Sequence, residues 1–136
     1  MVSASLLRLL LDTHAWLWQL LEPERLSNRA ATAIENAQAE IYLSPLSVWE
    51  TLLLADKGRI QLEPDGLAWV RKALETSPLL VAELTHDIAI RSRNLPGFAS
   101  SDPVDRFLVA TCLVRGMALV TRDSAMRKYR PLQTIW

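Results

Sequence analysis

Four residues of this 136-residue chain have types and positions that could do chemistry: Asp12, Glu50, Asp105 and Asp123. Asp12 directly follows the apolar run Leu6 to Leu11, and Asp123 stands two residues beyond Met117-Ala-Leu-Val-Thr. Glu50 shares the i, i+3, i+4, i+7 face of its segment with Leu46, Trp49 and Leu53, a stripe expected to be apolar. It has no lysine or arginine three or four residues away. Asp105 repeats the pattern with Leu108, Val109 and Cys112. A carboxylate in such a place needs a partner, a metal or a raised pKa. Like charges gathered at one edge repel, and a hard divalent cation relieves the repulsion. Oxygen-only ligands with water completing the shell describe Mg²⁺ or Mn²⁺. Zinc does not fit, because Cys112, His14 and His86 are widely separated. A cation held this way suits phosphoryl chemistry: it lowers the pKa of a water and stabilises charge on a phosphodiester.

Each acid also has a purely architectural reading. Asp12 and Asp123 are placed to cap the helices that follow them. Glu50 could lie at the edge of its stripe and reach water. Asp105 falls in a first helical turn, where negative charge suits the helix dipole. Asp102, followed by Pro103, has the signature of an N-cap. His14 is read as a helix-surface or packing residue.

The elements that must position these residues alternate. Short apolar runs predict strands at Leu6–Leu11, Ile41–Leu43, Leu79–Ala82, Met117–Thr121 and Thr134–Trp136. Helical patterns predict helices at Thr13–Leu21, Asn28–Ala39, Pro45–Lys57, Pro64–Thr76, Thr85–Asn94, Pro103–Arg115 and Ser124–Tyr129. Ser27 and Ser44 are candidate caps. The alternation implies an α/β sandwich with a central parallel sheet of about four or five strands. In such sheets, sites form beyond the carboxyl ends of the strands. Asp12 and Asp123 fall there. Length predicts a single domain over residues 1–136.

Composition narrows the class. Half the residues are hydrophobic and 22% charged, enough to bury a core and exclude wholesale disorder. Fifteen basic residues balance fifteen acids, which argues against a protein that coats nucleic acid by bulk charge. One cysteine excludes an intrachain disulfide, and its apolar neighbours predict a buried thiol. No apolar run is long enough to span a bilayer, and the start lacks the features of a signal peptide. The expectation is a cytoplasmic protein with no membrane association.

Taken together, the motifs resemble those of PIN-domain ribonucleases, specifically the VapC-type toxins of bacterial toxin–antitoxin pairs. Leu10-Leu-Asp12-Thr13-His14-Ala15-Trp16-Leu17-Trp18 is similar to the family's opening. Leu43-Ser44-Pro-Leu-Ser47-Val48-Trp49-Glu50 resembles its second acidic segment, and Lys57-Gly58-Arg59-Ile60 the usual continuation. Asp102-Pro103-Val104-Asp105-Arg106-Phe107-Leu108-Val109-Ala110-Thr111 resembles the third, and Leu119-Val120-Thr121-Arg122-Asp123 the fourth. The resemblance runs from about Leu7 to Trp136. It implies a Mg²⁺-dependent endoribonuclease with metal-site roles for Asp12, Glu50, Asp105 and Asp123. Asp12 and Asp105 would be direct ligands, Glu50 and Asp123 would either ligate or hold metal-bound water, and Thr13 and Thr121 would support these carboxylates by hydrogen bonds. It further implies a homodimer and a cognate antitoxin whose chain covers the acidic cleft. One departure is clear: Ala99-Ser100-Ser101 stands where relatives often carry a histidine.

An RNA substrate needs basic surface. Residues 1–90 hold seven lysines and arginines against twelve acids; residues 91–136 hold eight against three. Arg93, Arg106, Arg122 and Lys128 are the candidates to line an RNA path. The competing assignment is a solvated surface or pairing with first-half acids. The five tryptophans are assigned mainly to packing, with Trp16 and Trp18 pointing in different directions. Other classes fit less well. A haloacid-dehalogenase-type phosphatase needs an aspartate where His14 stands, and a receiver needs a lysine after its last strands. A catalytically inactive PIN-like interaction module for protein or RNA remains the alternative.

Overall fold

The computed structural model describes residues 7–136; Leu6, the first residue of the first predicted strand, lies outside them. Five strands form one wholly parallel sheet: β1 (Leu7–Leu11), β2 (Ala39–Leu43), β3 (Leu80–Val81), β4 (Ala118–Val120) and β5 (Thr134–Ile135). Their order is β3-β2-β1-β4-β5. Around them lie α1 (Thr13–Leu21), α2 (Asn28–Glu35), α3 (Pro45–Asp56), α4 (Gly66–Thr76), α5 (His86–Ser92), α6 (Pro103–Arg115) and α7 (Ser124–Lys128). A 3₁₀ turn at Pro23–Arg25 links α1 to α2. This is the expected α/β sandwich.

The central strands are buried on both faces, which is why they are continuously apolar. Leu9, Leu10 and Leu11 are all fully buried. Alternation along the strands splits the core in two. Leu9, Leu11, Ala118 and Val120 pack with Trp16 and Leu17 of α1, Ala30 of α2 and Val70 of α4. Leu10 and Leu119 pack on the other face with Val104, Leu108 and Cys112 of α6 and Met126 of α7.

Local chemistry sets the helix starts. Asp12, Ser27, Ser44, Asp65, Thr85, Asp102 and Asp123 each accept a backbone N–H at the start of α1 to α7 respectively. Gly116 ends α6 in the left-handed region at φ 67°, where a side chain would be strained, and turns the chain directly into β4.

Three expectations need correction. Helix α2 stops at Glu35, not Ala39, because Asn36 turns the chain and Ala39 already belongs to β2. Helix α4 starts at Gly66, with Asp65 as its cap, two residues after the predicted Pro64. The third strand is a two-residue edge strand, Leu80–Val81, shorter than the predicted Leu79–Ala82, and both of its residues are exposed.

Candidate active site

Because every strand runs the same way, their carboxyl ends share one edge with the helix N-termini that follow. The order reverses beside β1: the chain moves outward through β2 and β3, then returns to place β4 on the other flank. Ligand sites form at such a reversal. An open pocket of about 430 Å³ lies there, lined by Asp12, Glu50, Asp102, Asp105 and Asp123, with His14, Trp18, Arg122 and Met126. The structure thus brings all four acids singled out in the sequence to one pocket.

Asp12 is buried, and each of its oxygens accepts one hydrogen bond. Its Oδ1 accepts from the Thr13 N–H at 2.7 Å and its Oδ2 from the Thr121 hydroxyl at 2.7 Å. Thr121 Oγ1 in turn accepts the Asp123 N–H at 3.0 Å. Asp123 is exposed and caps α7 through the Met126 N–H at 3.0 Å. Asp105, half-buried in the first turn of α6, accepts from the Ser100 hydroxyl at 3.0 Å. Asp102 caps the same helix through the Asp105 N–H at 3.1 Å. Capping and pocket lining are therefore not alternatives: Asp12, Asp102 and Asp123 do both.

Glu50 also reaches the pocket, although its helix presents a different face to the core than expected. The buried residues of α3 are Ser47 and Thr51, whereas Trp49, assigned to the apolar stripe, is 55% exposed. The Thr13 hydroxyl donates to Ser47 Oγ at 3.0 Å, and Thr51 donates to the Ser47 carbonyl at 2.8 Å. Small polar side chains let α1 and α3 approach, which holds Glu50 beside Asp12.

The pocket is electrostatically loaded. Burial pushes the Asp12 carboxyl up; the bond from Thr121 opposes this, and Asp123 adds to it. Burial raises Glu50 too, with Asp12 and Asp102 contributing. Asp105 is raised to about 7, first by burial, then by Asp102, Asp12 and Asp123. A divalent cation would relieve the repulsion among carboxylates crowded in this way. Among the described residues, no three histidine, cysteine or acidic side chains gather into a closed metal-binding group. The acids ring an open, solvent-accessible pocket instead. An all-oxygen donor set with room for water fits a cation that keeps much of its hydration shell and takes only one or two carboxylates directly. Asp12 and Asp105 could supply these, with Glu50 and Asp123 facing water.

Of the four basic candidates, Arg122 alone joins the pocket lining. Arg106 does not: its guanidinium donates to the carbonyls of Ser92 at 2.8 Å and Ser100 at 2.9 Å. It braces the segment that carries the Ser100 hydroxyl to Asp105. Arg93 and Lys128 are exposed and outside the lining. Among the described residues only two ion pairs form, Arg8–Glu40 and Arg25–Glu22, so none of the four pairs with an acid.

Trp16 is buried against Trp69 at a centroid distance of 5.8 Å. Trp18 instead borders the pocket, with the Arg122 guanidinium 5.9 Å from its ring centroid. Four lining residues, Asp102, His14, Trp18 and Met126, are not among the site candidates the sequence offers. Asp102 was read as a cap only. His14 is expected at the surface and Trp18 in packing; their positions about half a turn and almost two turns after Asp12 are the available signal. Cys112 is buried, as expected, and burial pushes its thiol up.

Comparison with known proteins agrees with this architecture. A family model described as PIN domain matches residues 9–131. The chain is 36% identical over 129 residues to Ribonuclease VapC22 of Mycobacterium tuberculosis (strain ATCC 25618 / H37Rv), covering 93% of this chain and 97% of that protein. Among solved structures, it superposes on VapBC2 from Rickettsia felis bound to a DNA fragment from their promoter, with a TM-score of 0.68 at 12% identity. That match covers 94% of this chain and 97% of the other. FitAcB from Neisseria gonorrhoeae gives 0.64 at 19% identity, covering 93% and 95%. The match over nearly the whole chain, with four acids converging at the sheet reversal, is decisive: this chain belongs to the PIN domain family.

Proposed function

We propose that this protein is a Mg²⁺-dependent endoribonuclease, with Mn²⁺ as a possible substitute, acting as the toxin of a toxin–antitoxin pair. The observation that carries the reading is the convergence of Asp12, Glu50, Asp105 and Asp123 on one pocket at the sheet reversal. The similarity to a protein named as a VapC ribonuclease supports it. The likeness to the VapBC2 and FitAcB structures is in keeping with a cognate antitoxin as partner.

Asp12 and Asp105 would hold the cation, with Glu50 and Asp123 orienting water around it. A bound divalent cation supplies counter-charge for a phosphodiester and lowers the pKa of water. The chain's own contribution is positioning. Thr121 and the Thr13 N–H fix both oxygens of Asp12, Ser100 fixes one oxygen of Asp105, and Thr13 locks α1 to α3 through Ser47. Arg122 at the pocket wall would meet the RNA backbone, and exposed Arg93 and Lys128 are further candidates for it. Exposed Trp49, Leu80, Val81 and Ile90 leave apolar surface for a second subunit, in keeping with a homodimer. Action on cellular RNA would make it a cytoplasmic protein, and no helix among the described residues is long and apolar enough to cross a membrane.

The test is cleavage of a single-stranded RNA by the purified chain with Mg²⁺, with chelator, and by the Asp12→Asn and Asp105→Asn variants. Cleavage should require Mg²⁺ and fall by at least about a hundredfold in each variant. Equal cleavage by wild type and both variants would reject this mechanism and favour an inactive interaction module.

A further inference from the structure

A second pocket, of about 600 Å³, adjoins the carboxylate pocket and shares His14 and Trp18 with it as a common wall. It lies between α1, the 3₁₀ turn and the segment after α3. Its lining holds one acid, Glu22, against the five of its neighbour. Leu17, Leu21 and Ile60 give it apolar surface, and Arg25 and Arg59 give it positive charge. The two guanidiniums are not equivalent. Arg25 pairs with Glu22 at 3.0 Å and lies 4.6 Å from the Trp18 ring centroid, so its charge is partly spent. Arg59 is exposed and has no acid within ion-pair distance among the described residues.

Arg59 is also placed by a rigid turn. Helix α3 ends with the Gly58 N–H donating to the Ala55 carbonyl at 3.0 Å and the Arg59 N–H to the Leu54 carbonyl at 2.9 Å. That pair of bonds is a Schellman cap, with Gly58 left-handed at φ 70°. The Lys57-Gly58-Arg59-Ile60 motif thereby turns Arg59 and Ile60 into the pocket wall. A planar base with a phosphate attached matches this combination of apolar wall and unpaired cation, at a volume usual for small-ligand sites.

We infer that this second pocket binds the nucleotide adjoining the scissile phosphodiester of a single-stranded RNA, its base against the apolar wall and its phosphate on Arg59. The inference rests on the endoribonuclease reading and moves part of the RNA path onto the acidic half of the chain. Arg59 is a binding residue in this scheme; it touches no reacting atom.

The experiment measures binding apart from cleavage. A fluorescein-labelled single-stranded oligoribonucleotide is titrated with the full chain in EDTA, by anisotropy, at several salt concentrations. Arg59→Gln should bind about fivefold more weakly at low salt, with the log–log salt slope shallower by about 0.7, one phosphate contact. Arg59→Lys should restore the slope, and Arg71→Gln on α4, which removes the same charge elsewhere, should match wild type. With Mg²⁺, Arg59→Gln should raise KM and leave kcat nearly unchanged. An Arg59→Gln variant that binds RNA like Arg71→Gln overturns the inference while Asp12-dependent cleavage still stands; a pocket built for a protein segment would behave that way. Cleavage independent of Asp12 overturns the reading beneath it, whatever Arg59 does.

Discussion

The Thr121 hydroxyl donates a 2.7 Å hydrogen bond to Asp12, tying the residue after β4 to the residue after β1 across 109 positions of sequence. The same oxygen accepts the Asp123 N–H, so one buried hydroxyl sets the relation of two pocket acids. Thr121→Val keeps the shape and removes both bonds. It should cost about 1–3 kcal/mol, since a buried carboxylate and a backbone N–H lose their partner. Without that donor the Asp12 carboxyl rises further, so Mg²⁺ should bind more weakly near neutral pH. Thermal unfolding and calorimetric Mg²⁺ titration check both parts; an unchanged melting temperature would show that the bond is dispensable.

Stability without metal should fall as pH rises through the range set by Asp105. Its folded pKa is raised to about 7 from an ordinary value of 3.8. Between those values the folded state holds a proton that the unfolded state has released, so raising the pH favours unfolding. The contribution is present below about pH 4 and is lost as pH passes about 7. Burial raises Asp12 and Glu50 in the same direction. The Asp105→Asn variant in EDTA should therefore equal wild type near pH 4 and melt higher than wild type at pH 8. Added Mg²⁺ should raise the wild-type melting temperature more than the variant's. Parallel pH profiles for the two proteins would contradict this account.

Cys112 offers a clock for opening of the core. It is 2% exposed on α6, and burial pushes its thiol up. Both effects suppress the thiolate that reacts with disulfide reagents. Labelling of the folded protein should be slow and should rise in step with unfolding in urea. Fast labelling under native conditions would mean that α6 opens locally.

Parallel strands and periodic helices make some site residues legible in sequence and leave others hidden. Asp12 and Asp123 were legible because a parallel sheet places every strand end at one edge, so position after a strand fixes position in space. Asp105 was legible because Leu108, Val109 and Cys112 bury its helix face as the period requires. The packing of α3 was not legible. Its apolar residues nearly surround it, and Leu46 packs on one half of the core while Val48, Leu52 and Leu54 pack on the other. With no polar face to orient it, counting apolar positions selected the wrong side. Arg106 shows the limit for charges: sequence gives its sign, but only the fold shows that it binds the carbonyls of Ser92 and Ser100.

Ser47 is where that misread face can be tested. It is fully buried, accepts from the Thr13 hydroxyl at 3.0 Å and lies three residues before Glu50 on α3. Ser47→Ala removes the acceptor with little change in volume and should cost about 1 kcal/mol. Cleavage should stay within severalfold of wild type, because α1 and α3 can still close. Ser47→Leu adds bulk where the two helices meet and should cost about 1–3 kcal/mol through overpacking. It should also lower kcat, because wedging α1 from α3 carries Glu50 away from Asp12. Urea unfolding and cleavage at saturating Mg²⁺ separate the two effects. If Ser47→Leu lost stability yet kept full kcat, the spacing of α1 and α3 would not control the placement of Glu50.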